Sequence, residues 1–430
     1  MRPLTKMMLF FSSIFVLSAV VMHLFNPQHL QWHESAPLAG PPFADPWIFQ
    51  NESVEDSEII QYRGGLNRLG NFGTSYRGNL GLPKVVPLHL NTGAHSASKS
   101  SPIEISDGWI LVGDFGRVVR LGFDGKERWE LRVLNARYGM HATPAIMGSH
   151  LVVADYAGQL INLDVETGQP RWILPLGTSI GASPLLTPDG FIYAAIETTH
   201  PNGFLAKIRL QDGQIEWLSS WLGQHSHSSP SYDSDHHAIV IGDNRGFISS
   251  FDAETGEIRW KTLTGAEVKA TPAISGGKIY LSSWDGFLYV LNAQNGHILH
   301  QIDLGRPQSN QSSVAIAEKE QLGFINSRSL CRFSLKEPSE FKCVKGIQNL
   351  KAVRRSSPVI YYDKKGNLMV VTSCQARGVC VVDGNSLSLR QNFLVSSAQT
   401  GEIHLGKRSI SMMTSDEGDL VYWPILEGGE

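Results

Sequence analysis

The chain predicts an all-β fold, an eight-bladed β-propeller of four-stranded antiparallel blades, on three observations. A mark of one small residue plus proline recurs at Ser101-Pro102, Thr143-Pro144, Ser183-Pro184, Ser229-Pro230, Thr271-Pro272 and Ser357-Pro358. Ser313-Val314 and Thr400-Gly401 hold the same place without proline, and the eight marks are spaced by 42, 40, 46, 42, 42, 44 and 43 residues. Each period holds four short alternating strands, best seen between Phe251 and Gly296, and this size of repeat with four strands is the signature of a propeller. A glycine-containing turn ending in a large anchor closes successive repeats: LGFDGKERW at Trp129, LDVETGQPRW at Trp172, IRLQDGQIEW at Trp217 and FDAETGEIRW at Trp260. The copy ending at His300 has lost its Trp.

Composition agrees. Charged residues are 18% of the 430, glycines number 42, and the net charge is −3. That is little charge, many tight turns and no basic field of the kind a nucleic-acid partner requires.

Taken in order, the chain opens with an uncharged 19-residue stretch, 7–25, preceded by Arg2 and Lys6. Acidic residues but no Lys or Arg follow until Arg63. Length and asymmetry predict an N-terminal transmembrane helix or signal anchor over 1–25, with all that follows outside the cytoplasm. A cleaved signal peptide is the competing reading. Residues 26–60, proline-rich and acidic, read as an extended tether carrying Trp32, Trp47 and Phe49. The propeller is expected over 61–427. After Thr400 only three strands remain, so Val85 to Leu90 is expected to close the last blade by pairing with Asp419 to Ile425.

Four cysteines form two late pairs, each about a hairpin turn. Cys331 and Cys343 flank KEPSE, and Cys374 and Cys380 flank QARG. In an exported chain this predicts two disulfides. Zinc would need all four brought together from neighbouring blades.

The innermost strand of each blade runs beside the axis, so the residue two before each mark should face the mouth of the central channel. Those residues are Lys99, His141, Gly181, His227, Lys269, Gln311, Arg355 and Ala398. Three permanent cations, two histidines and a glutamine around one axis, with no carboxylate among the eight, predict a site for an anionic ligand or an acidic partner segment. The bland alternative is a solvated rim. The turn aspartates Asp114, Asp155, Asp243 and Asp285 open on the same face and read as caps of their own turns. The blade-three insertion, 197–203, is a second place where binding could sit. The tryptophan anchors read as packing groups between blades.

The pattern of x-D-G between strands and D-x-x-T-G-x-x-x-W at the turn resembles the pyrroloquinoline-quinone-type propeller repeat. The eight-blade count resembles the BamB-like propellers, and the run 62–70, YRGGLNRLG, is similar to the leader that precedes their first blade. This resemblance implies a non-enzymatic envelope propeller that binds a protein partner and needs no cofactor; the expected anchor over 1–25 would hold it on the periplasmic face of the inner membrane. Quinoprotein dehydrogenases share the repeat and are the alternative. That resemblance implies a quinone over a Trp, a disulfide between adjacent cysteines and a calcium held by carboxylates and amides. This chain has no Cys-Cys dipeptide, and it has no cysteine near 7–25 for the lipid of a BamB-like lipoprotein.

Overall fold

The computed structural model describes residues 58–426, except 76–78, 91–99, 134–139, 199–201, 224–226, 306–309, 345–355, 375–377, 395–399 and 415–416. The helix expected over 7–25 and nearly all of the tether therefore lie outside the described residues. Among the described residues no helix is long and apolar enough to cross a membrane.

Eight antiparallel sheets follow one another along the chain, one per repeat. Blade four shows the unit: Ser231–Asp233, Ala238–Gly242, Phe247–Asp252 and Ile258–Leu263, each paired with the next. Strands alternate because one set of side chains packs against the preceding blade and the other against the following one. Val152, Leu160 and Ala145 of blade two thus share an apolar cluster with Leu186, Ile192 and Ile208 of blade three.

The repeat motif now has a physical account. The turn aspartate Asp164 accepts from the N–H groups of Glu166 and Thr167 and from the Thr167 hydroxyl. Gly168 then takes φ of +70°, where a side chain is strained. Its bare face receives the ring of Trp129 from the preceding blade, 2.7 Å from where a Cβ would stand. Each anchor indole also donates to a carbonyl of the next blade: Trp129 to Val165, Trp172 to Leu210, Trp217 to Ala253 and Trp260 to Ala293, at 2.8–3.2 Å. The tryptophans rivet neighbouring blades.

The small residue of the mark is explained by a belt around the axis. The backbone N–H of each mark donates to the hydroxyl of the next: Ser101 to Thr143, then Ser183, Ser229, Thr271, Ser313 and Ser357, at 2.9–3.1 Å. Blade eight takes its place in this belt with Glu402, whose carboxylate accepts from the Ser357 N–H and hydroxyl. The mark placed at Thr400 by spacing is thus two residues early.

Closure follows the expected strand pairing, within narrower bounds. Lys84–Val86 pairs antiparallel with the last strand, Val85 opposite Val421, and Asn79–Leu80 pairs with its far end. Leu88 and His89 N–H groups both donate to Asp419. Val85 itself is 45% exposed, so burial there falls to Val86, Leu88 and the fully buried Leu90. Both cysteine pairs are disulfides. Cys331 stands directly opposite Cys343, whereas Cys374 lies opposite Gly378 and reaches Cys380 diagonally.

Candidate functional site

Four of the six ring residues put forward from the sequence are described: His141, His227, Lys269 and Gln311. Lys99 and Arg355 lie outside the described residues. The four are all half-buried rather than freely solvated.

The ring residue and the turn between strands two and three of its own blade form a pair. In blade two, His141 Nδ1 and the Tyr156 hydroxyl share a 2.7 Å hydrogen bond, with the rings edge to face. In blade five, Lys269 Nζ lies 3.8 Å from the centre of the Trp284 ring, a cation–π contact. Both pairs span 15 residues, a spacing visible in the chain. Between blades two and four, the ring position of blade three is Gly181. A Cβ there would come 3.1 Å from both His227 Nδ1 and the Tyr156 hydroxyl. The missing side chain lets His141 and His227 stack with centroids 6.3 Å apart.

Carboxylates stand behind this ring, although none is in it. Asp155 is fully buried and burial pushes its carboxyl up to about 6, while its Oδ1 caps the N–H groups of Ala157 and Gln159. Asp243 and Asp285 cap their turns in the same way, as expected. Glu197, at the head of the blade-three insertion, bridges Ser179, and its charge adds to the burial that raises the Tyr156 hydroxyl.

Below the mouth the channel is filled by the chain's own leader, a role the sequence reading missed. Ile59–Ile60 pairs with the first strand of blade two, and the Gln61 amide meets Leu186 of blade three. The carbonyls of Leu66, Asn67, Leu69 and Gly70 then accept from Tyr232, Ile274, Ile316 and Ile360, one per blade from four to seven. Asn71–Ser75 leaves as a parallel strand beside blade seven. The leader thus visits six blades in succession.

Two buried arginines cap the belt from inside this leader. Arg68 donates to the carbonyls of Pro184 and Pro230, and Arg63 to those of Val314 and Pro358, each beside or within a mark. Burial lowers both guanidiniums, opposed at Arg63 by Tyr62 and by Glu402. Glu402 is in turn pushed up to about 6 by burial, against the pull of Arg63. The signal for this plug was present: two arginines among glycines, in a segment with no acidic neighbour.

The residues at the mouth do not fit calcium and a quinone. Imidazoles, an ammonium and an amide are not the oxygen-rich, carboxylate-bearing shell calcium takes, and two guanidiniums lie beneath. Among the described residues, one group has metal-ligand spacing, His89, Glu417 and Asp419 at the closure seam, away from the axis.

Fold and axis together define an eight-bladed propeller of quinoprotein-type repeats. A model of the family described as outer membrane protein assembly factor BamB matches residues 89–218 and 201–333, over half of the chain, which therefore belongs to that family. The curated relative from Alkalilimnicola ehrlichii, an outer membrane protein assembly factor BamB, is 26% identical over 173 residues, 38% of this chain and 44% of that protein. The one from Legionella pneumophila is 26% identical over 208 residues, 45% and 51%. The chain thus spans about half the length of such relatives. Among solved structures, BamB from Moraxella catarrhalis superposes with a TM-score of 0.60 at 15% identity, covering 81% of this chain and all of that one. Quinohemoprotein alcohol dehydrogenase from Comamonas testosteroni reaches 0.66 at 10% identity, covering 86% and 80%. At these identities both show the fold alone.

Proposed function

We propose that this protein is a non-enzymatic propeller of the cell envelope, tethered to the membrane by its N-terminal segment, that binds an acidic segment of a protein partner at its axial mouth. Family membership supports the scaffold reading, since the relatives carry the name of an assembly factor. One observation carries it furthest: the chain's own leader plugs the channel, so what stays open at the axis is a mouth lined by imidazole, ammonium and aromatic groups and not a through-channel. Such a mouth suits an acidic polypeptide segment, whereas a small substrate binds in concave sites that bury most of its surface. The likeness to dehydrogenases extends to the fold alone, and the residues at the mouth do not fit the quinone and calcium of those enzymes.

The test replaces Lys99, Lys269 and Arg355 together with Gln. Pull-down from envelope extract should lose a defined partner, and its binding to the parent protein should weaken with salt, because charges at a solvated mouth are screened within about 8–10 Å. The control is the same triple change at Lys126, Lys336 and Lys342, which are exposed and far from the mouth. Equal binding by axial and control variants would reduce the mouth to a solvated rim. A bound chromophore after incubation with quinone and calcium would favour the enzyme reading.

A further inference from the structure

The seam where the two ends of the chain meet brings His89, Glu417 and Asp419 together. His89 follows the closing strand Lys84–Val86, and the two carboxylates lie at the turn between the last strands, Ser409–Thr414 and Leu420–Leu426. One ligand atom from each residue lies within 4.8 Å of the others. That spread fits donors around a single ion, since zinc takes imidazole nitrogen and carboxylate oxygen at about 2.0–2.2 Å.

Backbone contacts hold the group in place. The Leu88 and His89 N–H groups both donate to Asp419 Oδ1, and the Asp419 N–H donates to the Thr414 hydroxyl. The Leu90 N–H donates to the Gly418 carbonyl, and the Leu90 carbonyl accepts from the Asp114 N–H, so this segment joins blade eight to blade one. An independent observation points to a ligand. Asp419 is only 4% exposed, yet its Oδ2 has no hydrogen-bond partner among the described residues. No Lys or Arg among the described residues forms an ion pair with Asp419 either. Its nearest basic group is the His89 imidazole, with Nδ1 3.7 Å from Oδ1 and the side chain 71% exposed. Arg117, which donates to the His89 carbonyl, is held by both oxygens of Glu130. A buried carboxylate oxygen left unsatisfied is costly, and a cation bound there removes that cost.

We propose that His89, Glu417 and Asp419 bind a divalent transition-metal ion of the zinc class, which fastens the closure of the ring. One imidazole with two carboxylates suits zinc and its first-row neighbours, whereas calcium and magnesium take shells of oxygen donors. Three protein ligands leave a coordination position for water. The ligands come from opposite ends of the chain, and the closed ring alone brings them together. Metal binding therefore adds to the stability of the closed state and not to that of the unfolded chain. The site lies at the rim of the last blade and is independent of the axial mouth.

The test uses the full chain without a histidine tag, stripped of metal with EDTA and titrated with zinc chloride by calorimetry. The tightest site should hold one ion per chain. His89→Asn and Glu417→Gln should each weaken it about tenfold or more, since even a group that only supports a ligand is worth about 10- to 100-fold in affinity. Both side chains are exposed, and Asn tolerates the left-handed backbone of His89, at φ of +49°, so both variants should fold. Zinc should raise the melting temperature of the parent and slow hydrogen exchange in 84–90 and 417–421. EDTA should reverse both effects, and neither should appear in the variants. His297→Asn, at an exposed histidine of blade five, should behave as the parent. Unchanged zinc affinity in both variants, zinc protection confined to other blades, or equal affinity for magnesium and calcium would each overturn the assignment.

Discussion

Blades one to four and blades six to eight are built from the same four-strand unit but are held in different ways. In the first group each blade carries its own rivet, an indole on the next blade's glycine turn with its N–H on a carbonyl. In the second group the anchor place holds Lys342 and Gln391, and the fastenings are borrowed. Two disulfides staple strands within blades six and seven, and leader strands border blades seven and eight. The staples act inside a blade, whereas the rivets act between blades. The difference teaches that the first arc carries its own fastenings between blades, with the leader only lining its inner side, while the last arc also takes border strands from a segment that arrives from the other end of the chain.

The largest test of this contrast removes the borrowed parts. A chain beginning at Gly93 lacks the two arginines that cap the belt, the plug, and the strands at both edges of the last arc. Each buried apolar side chain lost, Val86, Leu88 and Leu90 among them, is worth about 1.5–3 kcal/mol. Each stranded belt carbonyl adds about 1–3 kcal/mol. The sum is comparable with the whole stability of a domain, about 5–15 kcal/mol. The truncated protein should aggregate or melt far lower, with hydrogen exchange lost first in 357–426. An unchanged melting temperature would mean the last arc stands on its own.

A smaller pair of changes weighs rivet against staple. Trp172→Ala should cost about 2–4 kcal/mol, below the roughly 3–5 of a fully buried ring because the indole stays half-exposed. Replacing Cys331 and Cys343 with Ser should cost at most about 2–3 kcal/mol, since a 12-residue separation closes only a short loop. The first should loosen the cleft between blades two and three, and the second only blade six. Peptide mapping without reduction checks the pairing; free thiols, or Cys331 joined to either member of the other pair, would refute it.

What the sequence made legible follows the same division. Period, blade count and the rivet motif were readable because they repeat, and a repeated local pattern identifies itself against its copies. The leader occurs once, so the channel role of Arg63 and Arg68 had no second copy to reveal it. The eighth mark was placed at Thr400, two residues before Glu402, because blade eight enters through an irregular strand, shifted in register between Thr400 and Ile403. The pairing of Val85 was readable but its exposure was not, because alternation alone does not say which face of an outer strand meets solvent. At the mouth, the ring positions followed from the repeat, but the pairing of His141 with Tyr156 and the gap left by Gly181 needed three blades at once.

The smallest effect separates the two arcs by pH. His404 in blade eight is fully buried, edge to face with Phe72 of the leader at 5.1 Å, and burial holds its imidazole down to about 3. A depressed pKa means the folded state resists protonation, so this group's contribution is whole above about 6.5 and is lost as pH falls toward 3. Asp155 in blade two and Glu402 in blade eight behave oppositely. Both are raised to about 6, so their burial weighs on the fold above that pH and is relieved as pH falls through 6 toward 4. Net stability should therefore change little between pH 6.5 and 5, because the terms oppose. The variant His404→Phe keeps the edge-to-face contact and removes one of them. Its stability relative to the parent should rise by up to about 1.4 kcal/mol per pH unit below 6.5. Denaturant titrations of both proteins at pH 7, 6 and 5 measure this directly. Parallel curves would show that His404 titrates freely, and that the seam between leader and blade eight opens to water.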